Sequence, residues 1–151
     1  MERTLTGSTS AILDLAREVA SLGEKLGFTR KRGWEIETAV VEALSNAARH
    51  GNGGREQDPI RLNAQPAGAR LLVEVHDRGA GLSGIPPLPD LEKKLRGEEP
   101  PGGWGVFLIR SLASDVQFVV HPGGGHTLRL RFDSEAPAQP VEPRITETPN
   151  G

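Results

Sequence analysis

Apolar residues recur at three- and four-residue intervals through the first part of the chain. Ile12, Leu15, Val19, Leu22 and Leu26 fall on one side of a helix that Ser8 or Ser10 can cap and Gly27 stops. After the basic turn Arg30-Lys31-Arg32-Gly33, the spacing returns in Ile36, Ala39, Val40, Ala43, Leu44 and Ala47, a second helix ending at Gly51. The period then shortens to two. Ile60 to Gln65 and Arg70 to His76 read as a hairpin around Ala67-Gly68, and Val116 to His121 with His126 to Phe132 as another around Pro122-Gly-Gly-Gly125. Between the hairpins, Gly79 to Gly105 is rich in Gly and Pro, with one short helical candidate at Leu88 to Leu95; Val106 to Ala113 is a short apolar helix. A loop region this long inside a domain is usually functional or disordered.

This order predicts an α/β protein of the α+β two-layer kind, a mixed, largely antiparallel sheet with helices on one face. Residues 1–133 form one domain in this reading. In 134–151, Pro137, Pro140, Pro143 and Pro149 sit among Glu, Thr and Gln with almost nothing to bury, which predicts a disordered Pro-rich tail.

Composition narrows the function classes. The chain has 151 residues, enough for one real core, and a formal net charge of -2 with no broad basic surface for nucleic acid or anionic membrane. It has no cysteine, which removes disulfides, thiolate zinc sites and cysteine nucleophiles. No signal-peptide pattern opens the chain, and its apolar runs are too short to span a bilayer. A cytoplasmic protein is expected.

Three stretches carry chemistry. Glu42, Asn46 and His50 lie four residues apart and form a polar file beside the buried stripe of the second helix. Glu and Asn one turn apart suit polarising a hydroxyl and holding a hard cation through oxygen. Read plainly, the file is a solvated face with a His-Gly cap. His76-Asp77-Arg78-Gly79-Ala80-Gly81-Leu82 places a carboxylate at a strand end, able to accept from an exocyclic amine, with glycines that let backbone approach a flat ring; it also fits an ordinary Asp-x-Gly turn. Gly102-Gly103-Trp104-Gly105 opens a helix, where free amides and the dipole favour phosphate, though a linker would look the same. It is not a P-loop, because no Gly-Lys-Ser/Thr follows.

The ordered conjunction of the three resembles the GHKL, or Bergerat-fold, ATPases. The "EAxxNAxxHG" form of Glu42–Gly51 and the run Gly105-Val-Phe-Leu-Ile-Arg-Ser-Leu-Ala-Ser-Asp115 are similar to the bacterial anti-sigma-factor serine kinases, over roughly Leu5 to Phe132. The resemblance implies ATP and Mg²⁺ as cofactors. Asn46 would coordinate the Mg²⁺, and Glu42 would position or deprotonate the attacking serine hydroxyl. Asp77 would bind the adenine amino group, with Gly79, Gly81 and Leu82 shaping the pocket. Gly103, Trp104, Gly105 and Val106 would bring the helix start to the phosphates, and Leu82 to Trp104 would be the lid. Thr127 would complete the adenine pocket, and His50 would cap its helix. The implied activity is ATP-dependent protein serine kinase and anti-sigma factor. The acceptor would be an anti-anti-sigma (STAS-type) protein, competing with a sigma factor for a homodimeric kinase, with Arg17 a candidate partner contact. The alternative is a nucleotide-responsive partner-switching module without transfer, against which the presence of Glu42 weighs. Three departures stand out: Trp104 inside the Gly-x-Gly, five prolines in the lid, and Gly125-His126-Thr127 in place of a direct Gly-Thr.

Overall fold

A computed structural model of the protein describes residues 1–51, 58–79, 90–98 and 104–149. Its elements run β1 (Glu2–Leu5), α1 (Thr9–Lys25), α2 (Arg30–Asn46) continuing as a wider π-type turn over Ala47–Gly51, β2 (Ile60–Ala67) and β3 (Arg70–Asp77). After these come α3 (Leu91–Leu95), α4 (Trp104–Leu112), β4 (Asp115–Val120), β5 (His126–Phe132) and β6 (Arg144–Glu147). Among the described residues, no helix is long and apolar enough to cross a membrane.

The first two helices form an antiparallel pair because local chemistry stops one and starts the next. Ser8 caps α1, its hydroxyl accepting from Ala11 N. At the other end Gly27 takes φ +86°, Gly27 N–H donates to Glu24 O and Phe28 N–H to Gly23 O. That is a Schellman closure, and only glycine adopts the left-handed position without strain. Thr29 then caps α2 by accepting from Arg32 N. Gly23 lets the pair close up: a Cβ there would sit 3.0 Å from Ile36 Cδ1.

The strands lie in the order β1-β2-β3-β5-β4-β6, antiparallel throughout except for the parallel β4–β6 pair. Alternation splits the sheet by face. Ile60, Leu62 and Ala64, Leu71, Val73 and Val75, Val116 and Phe118, and Leu128, Leu130 and Phe132 join the apolar stripes of the helices in one core. The intervening residues pair across the strands with one another, Arg61 with His76 and Thr127, and Asn63 with Glu74 and Arg129, and belong to the other face. This is the expected two-layer α+β sandwich.

Two corrections follow. The tail does not stay apart as a disordered segment. Arg144–Glu147 add a sixth strand beside β4, Val141 N–H donates to Arg110 O, and Arg144 pairs with Asp115. Composition pointed to disorder because the segment buries little of its own. Its ordering comes from backbone bonds to an edge strand and from one buried arginine, which composition does not register. The second correction is at α2, whose first turn is the Arg30–Gly33 stretch read as a turn before it, because Thr29 caps the helix. Strand β1, which the sequence pattern did not suggest, pairs antiparallel with β2 while the Met1 amino group donates to Ala64 O at 2.8 Å.

Two buried arginines brace the helix layer. Arg32, 2% exposed, donates to Asp133 O, Leu112 O, Ser114 Oγ and Glu35, with its guanidinium over the Phe132 ring. Arg110 on α4 donates to Val141 O and pairs with Glu142.

Candidate functional site

The polar file of α2 meets the start of α4. A Cβ built on Gly105 would lie 2.7 Å from Glu42 Oε2, 3.4 Å from Asn46 Oδ1 and 3.7 Å from Asn46 Nδ2. Helix α4 therefore begins directly against the two side chains that sequence spacing singled out. Any side chain there would push Glu42 aside. Glu42 and Asn46 are both half-buried, at the edge of the Ile36–Leu44 stripe. The α4 amino end has no acidic residue in its first turn, and a helix start, with amides that lack intrahelical partners and a positive dipole end, suits an anion. Val106 packs against the core behind it. Trp104 makes an edge contact with Phe107 and takes the Lys94 ammonium of α3 at 5.5 Å from its ring. Helix α3 thus reaches, through Lys94, the residue that departs from the usual Gly-x-Gly.

A second cluster forms where β3 ends. Asp77 is 8% exposed; its Oδ1 accepts from Gly79 N at 2.9 Å, and its Oδ2 faces His126 Nδ1 at 3.2 Å. Gly125 makes this closeness possible. It sits at φ +93°, and a Cβ there would come 3.1 Å from Asp77 O. The turn after Asn46 packs on β3 and so links the two clusters. Gly81, Leu82 and Gly103 lie outside the described residues, as does the His50 side chain.

Thr127 lines the same surface cavity of about 410 Å³ as Asp77 but is not its cross-strand partner. The β3–β5 register sets His126 opposite Asp77 and Thr127 opposite His76, on the outer face of the sheet. There the Thr127 hydroxyl, 1% exposed, lies 2.7 Å from both His76 Nδ1 and His121 Nε2. Burial and Arg61 hold the His76 ring below its ordinary pKa of 6.5, with His121 and Arg129 acting the same way and Glu74 opposing. Sequence reasoning did not name His126, the direct partner of Asp77. The signal was present in the alternation: His126 shares its parity with the core residues Leu128, Leu130 and Phe132.

Glu42 can be reached from outside. It borders two surface cavities of about 370 Å³ each, one toward Thr9 and Ile12, the other toward Leu13, Val41 and the exposed Trp34. Arg17 is occupied by Glu37 of α2 at 3.5 Å.

The chain is similar to known proteins in sequence and in fold. The chain is 28% identical over 118 residues to an anti-sigma F factor of Thermoanaerobacter sp. (strain X514), covering 74% of this chain and 78% of the relative. It is 27% identical over 110 residues to the serine-protein kinase RsbW of Oceanobacillus iheyensis, covering 66% of this chain and 65% of that one. Its fold matches a crystal structure of the RsbU and RsbW domains of a Mycobacterium tuberculosis protein with a TM-score of 0.60 at 21% identity. That match covers 94% of this chain but 34% of the longer protein. The family model for the histidine kinase-like ATPase domain matches residues 6–132. With that match spanning both side-chain clusters and the whole of the sheet from β2 to β5, the chain belongs to the histidine kinase-like ATPase domain family.

Proposed function

We propose that the chain is an ATP-dependent protein serine kinase that also acts as an anti-sigma factor, its acceptor a serine on an anti-anti-sigma (STAS-domain) protein. The observation that carries this reading is the approach of Gly105 to Glu42 and Asn46. It sets an anion-binding helix start, a hydrogen-bonding carboxylate and an amide oxygen around one point. The family supports nucleotide binding, and the names of the relatives support the regulatory setting.

Asp77 would accept from the adenine amino group, with Gly79 holding the carboxylate in place. Gly81 and Leu82 would follow it along the base. Gly103, Trp104, Gly105 and Val106 would bring the α4 amides to the phosphates. Asn46 offers an oxygen of the type Mg²⁺ takes. Among the described residues no three His, Asp or Glu side chains gather as a metal cage. That donor set suits an ion held by one protein oxygen, phosphate oxygens and water. When bound, Mg²⁺ would offset charge on the transferred phosphoryl group.

Glu42 would accept the proton of the acceptor's serine hydroxyl as its oxygen bonds to the γ-phosphorus. The bond from that phosphorus to the ADP oxygen breaks, and ADP keeps the electron pair. Most of the rate would come from positioning, since little covalent work falls to the protein. The surface cavities beside Glu42 give the acceptor segment a way in. In the cell, the reading places a homodimer in the cytoplasm, holding a sigma factor until unphosphorylated acceptor competes for it.

The test is Glu42→Ala, assayed with labelled ATP and the acceptor. Phosphoserine formation should vanish while ATP binding stays near wild type. Transfer by the variant at the wild-type rate would remove the proposed role of Glu42.

A further inference from the structure

Glu42 is the rim shared by two surface cavities of opposite character. Leu13 of α1 with Trp34 and Val41 of α2 wall one of them; Thr9 of α1 with Ser45 and Arg49 wall the other. Trp34, Thr38, Glu42, Ser45 and Arg49 follow one another at steps of three or four residues, so they share one face of α2 and its terminal turn, away from the buried stripe. Trp34 is 63% exposed and Leu13 36%, which leaves large apolar surface in water beside a reactive carboxylate. Apolar surface placed so is a mark of binding. Glu37, the other carboxylate of that cavity, is paired with Arg17. On the opposite side Arg49 is exposed, and its Nε donates to Ser45 O at 3.4 Å, which lays the side chain back along the helix.

We propose that these cavities read the acceptor sequence around its serine: an apolar side chain seats on Trp34 and Leu13, and an acidic side chain on the other side of the serine pairs with Arg49. This rests on the reading that Glu42 receives the serine hydroxyl. Helical rise sets the spacing. Trp34 and Arg49 lie about 12 Å and about 10 Å from Glu42 along the axis, at 1.5 Å per residue. An extended segment advances about 3.3 Å per residue. A chain laid along α2 with its serine at Glu42 therefore brings the residue about three or four places away to Trp34, and one about three places the other way to Arg49. Glu42 fixes the occupant, because a segment that carries the hydroxyl to it must cross both cavities. The guanidinium asks that segment for a carboxylate and disfavours a basic residue there.

The probe is the STAS-domain protein that the wild-type chain phosphorylates, with the modified serine mapped. The readout is steady-state transfer by the full chain at saturating ATP. Trp34→Ala should raise the acceptor KM about ten-fold and leave kcat and ATP affinity within about two-fold, with Trp34→Phe recovering most of the loss. Arg49→Glu should raise the same KM by about ten-fold, and an acceptor whose acidic residue near the serine is changed to Lys should bring it back. Both side chains are exposed, so the fold does not depend on either. Unchanged KM in both variants would overturn the proposal and leave the kinase reading standing, as would an Arg49→Glu defect that the acceptor's Lys does not repair. A Trp34→Ala chain that loses self-association in sedimentation while keeping its acceptor KM would make the patch a contact between copies and overturn the proposal too. If the wild-type chain transfers phosphate to no STAS-domain serine, the kinase reading fails and this inference fails with it.

Discussion

Replacing Gly105 by Ala separates what holds the fold from what aligns the site. The added methyl would lie 2.7 Å from Glu42 Oε2 and 3.4 Å from Asn46 Oδ1. Glu42 must therefore retreat by about 0.7 Å to regain ordinary contact, whereas Asn46 can stay. The atom that yields is the end of a flexible side chain, so the retreat needs a rotamer adjustment rather than a backbone shift. Overpacking a rigid core costs about 1–3 kcal/mol, and this case falls at the low end. Against it, Ala gains roughly 1 kcal/mol over Gly inside a helix. The two nearly cancel, and thermal melting should change by a few degrees at most. Transfer should respond very differently. A carboxylate displaced by a large fraction of an ångström no longer holds a hydroxyl in line, and misplacement of about 1 Å can lower a rate 10²-fold. Gly105→Ala should therefore reduce phosphoserine formation roughly 10- to 100-fold at near-unchanged stability. Single-turnover transfer read beside a melting curve checks this. A variant that melts with wild type and transfers at the wild-type rate would refute the claim that the Gly105–Glu42 approach sets the geometry.

Arg32→Met keeps much of the volume but strips hydrogen bonds from Asp133 O, Leu112 O and Ser114 Oγ and leaves Glu35 without its partner. Breaking so buried an ion pair costs about 3–5 kcal/mol; urea unfolding should show it, and a loss under about 1 kcal/mol would contradict the bracing role. His76 predicts a pH dependence of stability. Its folded pKa is lowered from 6.5, so just below that pH the unfolded chain binds more protons. Its contribution is complete above about pH 6.5 and is lost as the pH falls through the folded value. His76→Gln should therefore show a smaller drop in Tm between pH 7.5 and 5.5 than wild type, and an identical drop in both would exclude this source.

How far the sequence could be read depended on where each element finds its partners. Helix α1 was legible to within a residue or two, because capping by Ser8 and closure at Gly27 are local events, whereas α2 starts at Arg30, a turn earlier than the basic stretch suggested, because Thr29 caps it. The strands β2, β3, β4 and β5 were legible from alternation and glycine turns. Strands β1 and β6 were not. Each is four residues long, and β6 is exposed at every position. Their pairing to Asn63–Ile60 and to Gln117–Val120 is decided by edges no local pattern reveals. The site divides the same way. Glu42 and Asn46 follow from helical spacing, and their meeting with Gly105 follows from motif order. His126 was missed because the resemblance drew attention to a threonine, while the period-two pattern of β5 already turned that threonine outward.

The two ends of the α2–α4 pair explain why one site can be both anion-seeking and rigidly shaped. The helices run antiparallel: Arg32 near the start of α2 holds the last carbonyl of α4, and Glu42 and Asn46 near the end of α2 abut the first turn of α4. A guanidinium on Leu112 O satisfies the negative end of the α4 dipole, and Arg110 in the same last turn adds a second cation. The opposite end is the positive end of the dipole and lies beside Glu42 and Asn46. Gly105 to Leu112 spans about 10 Å at 1.5 Å per residue. Over so short a lever, the Arg32 bond to Leu112 O, backed by one to Ser114 Oγ just beyond the helix, restrains the near end as well. The 2.7 Å approach at Gly105 is thus a property of the whole helix pair. The glycine is the one residue at that position that lets a braced helix arrive without pushing Glu42 aside.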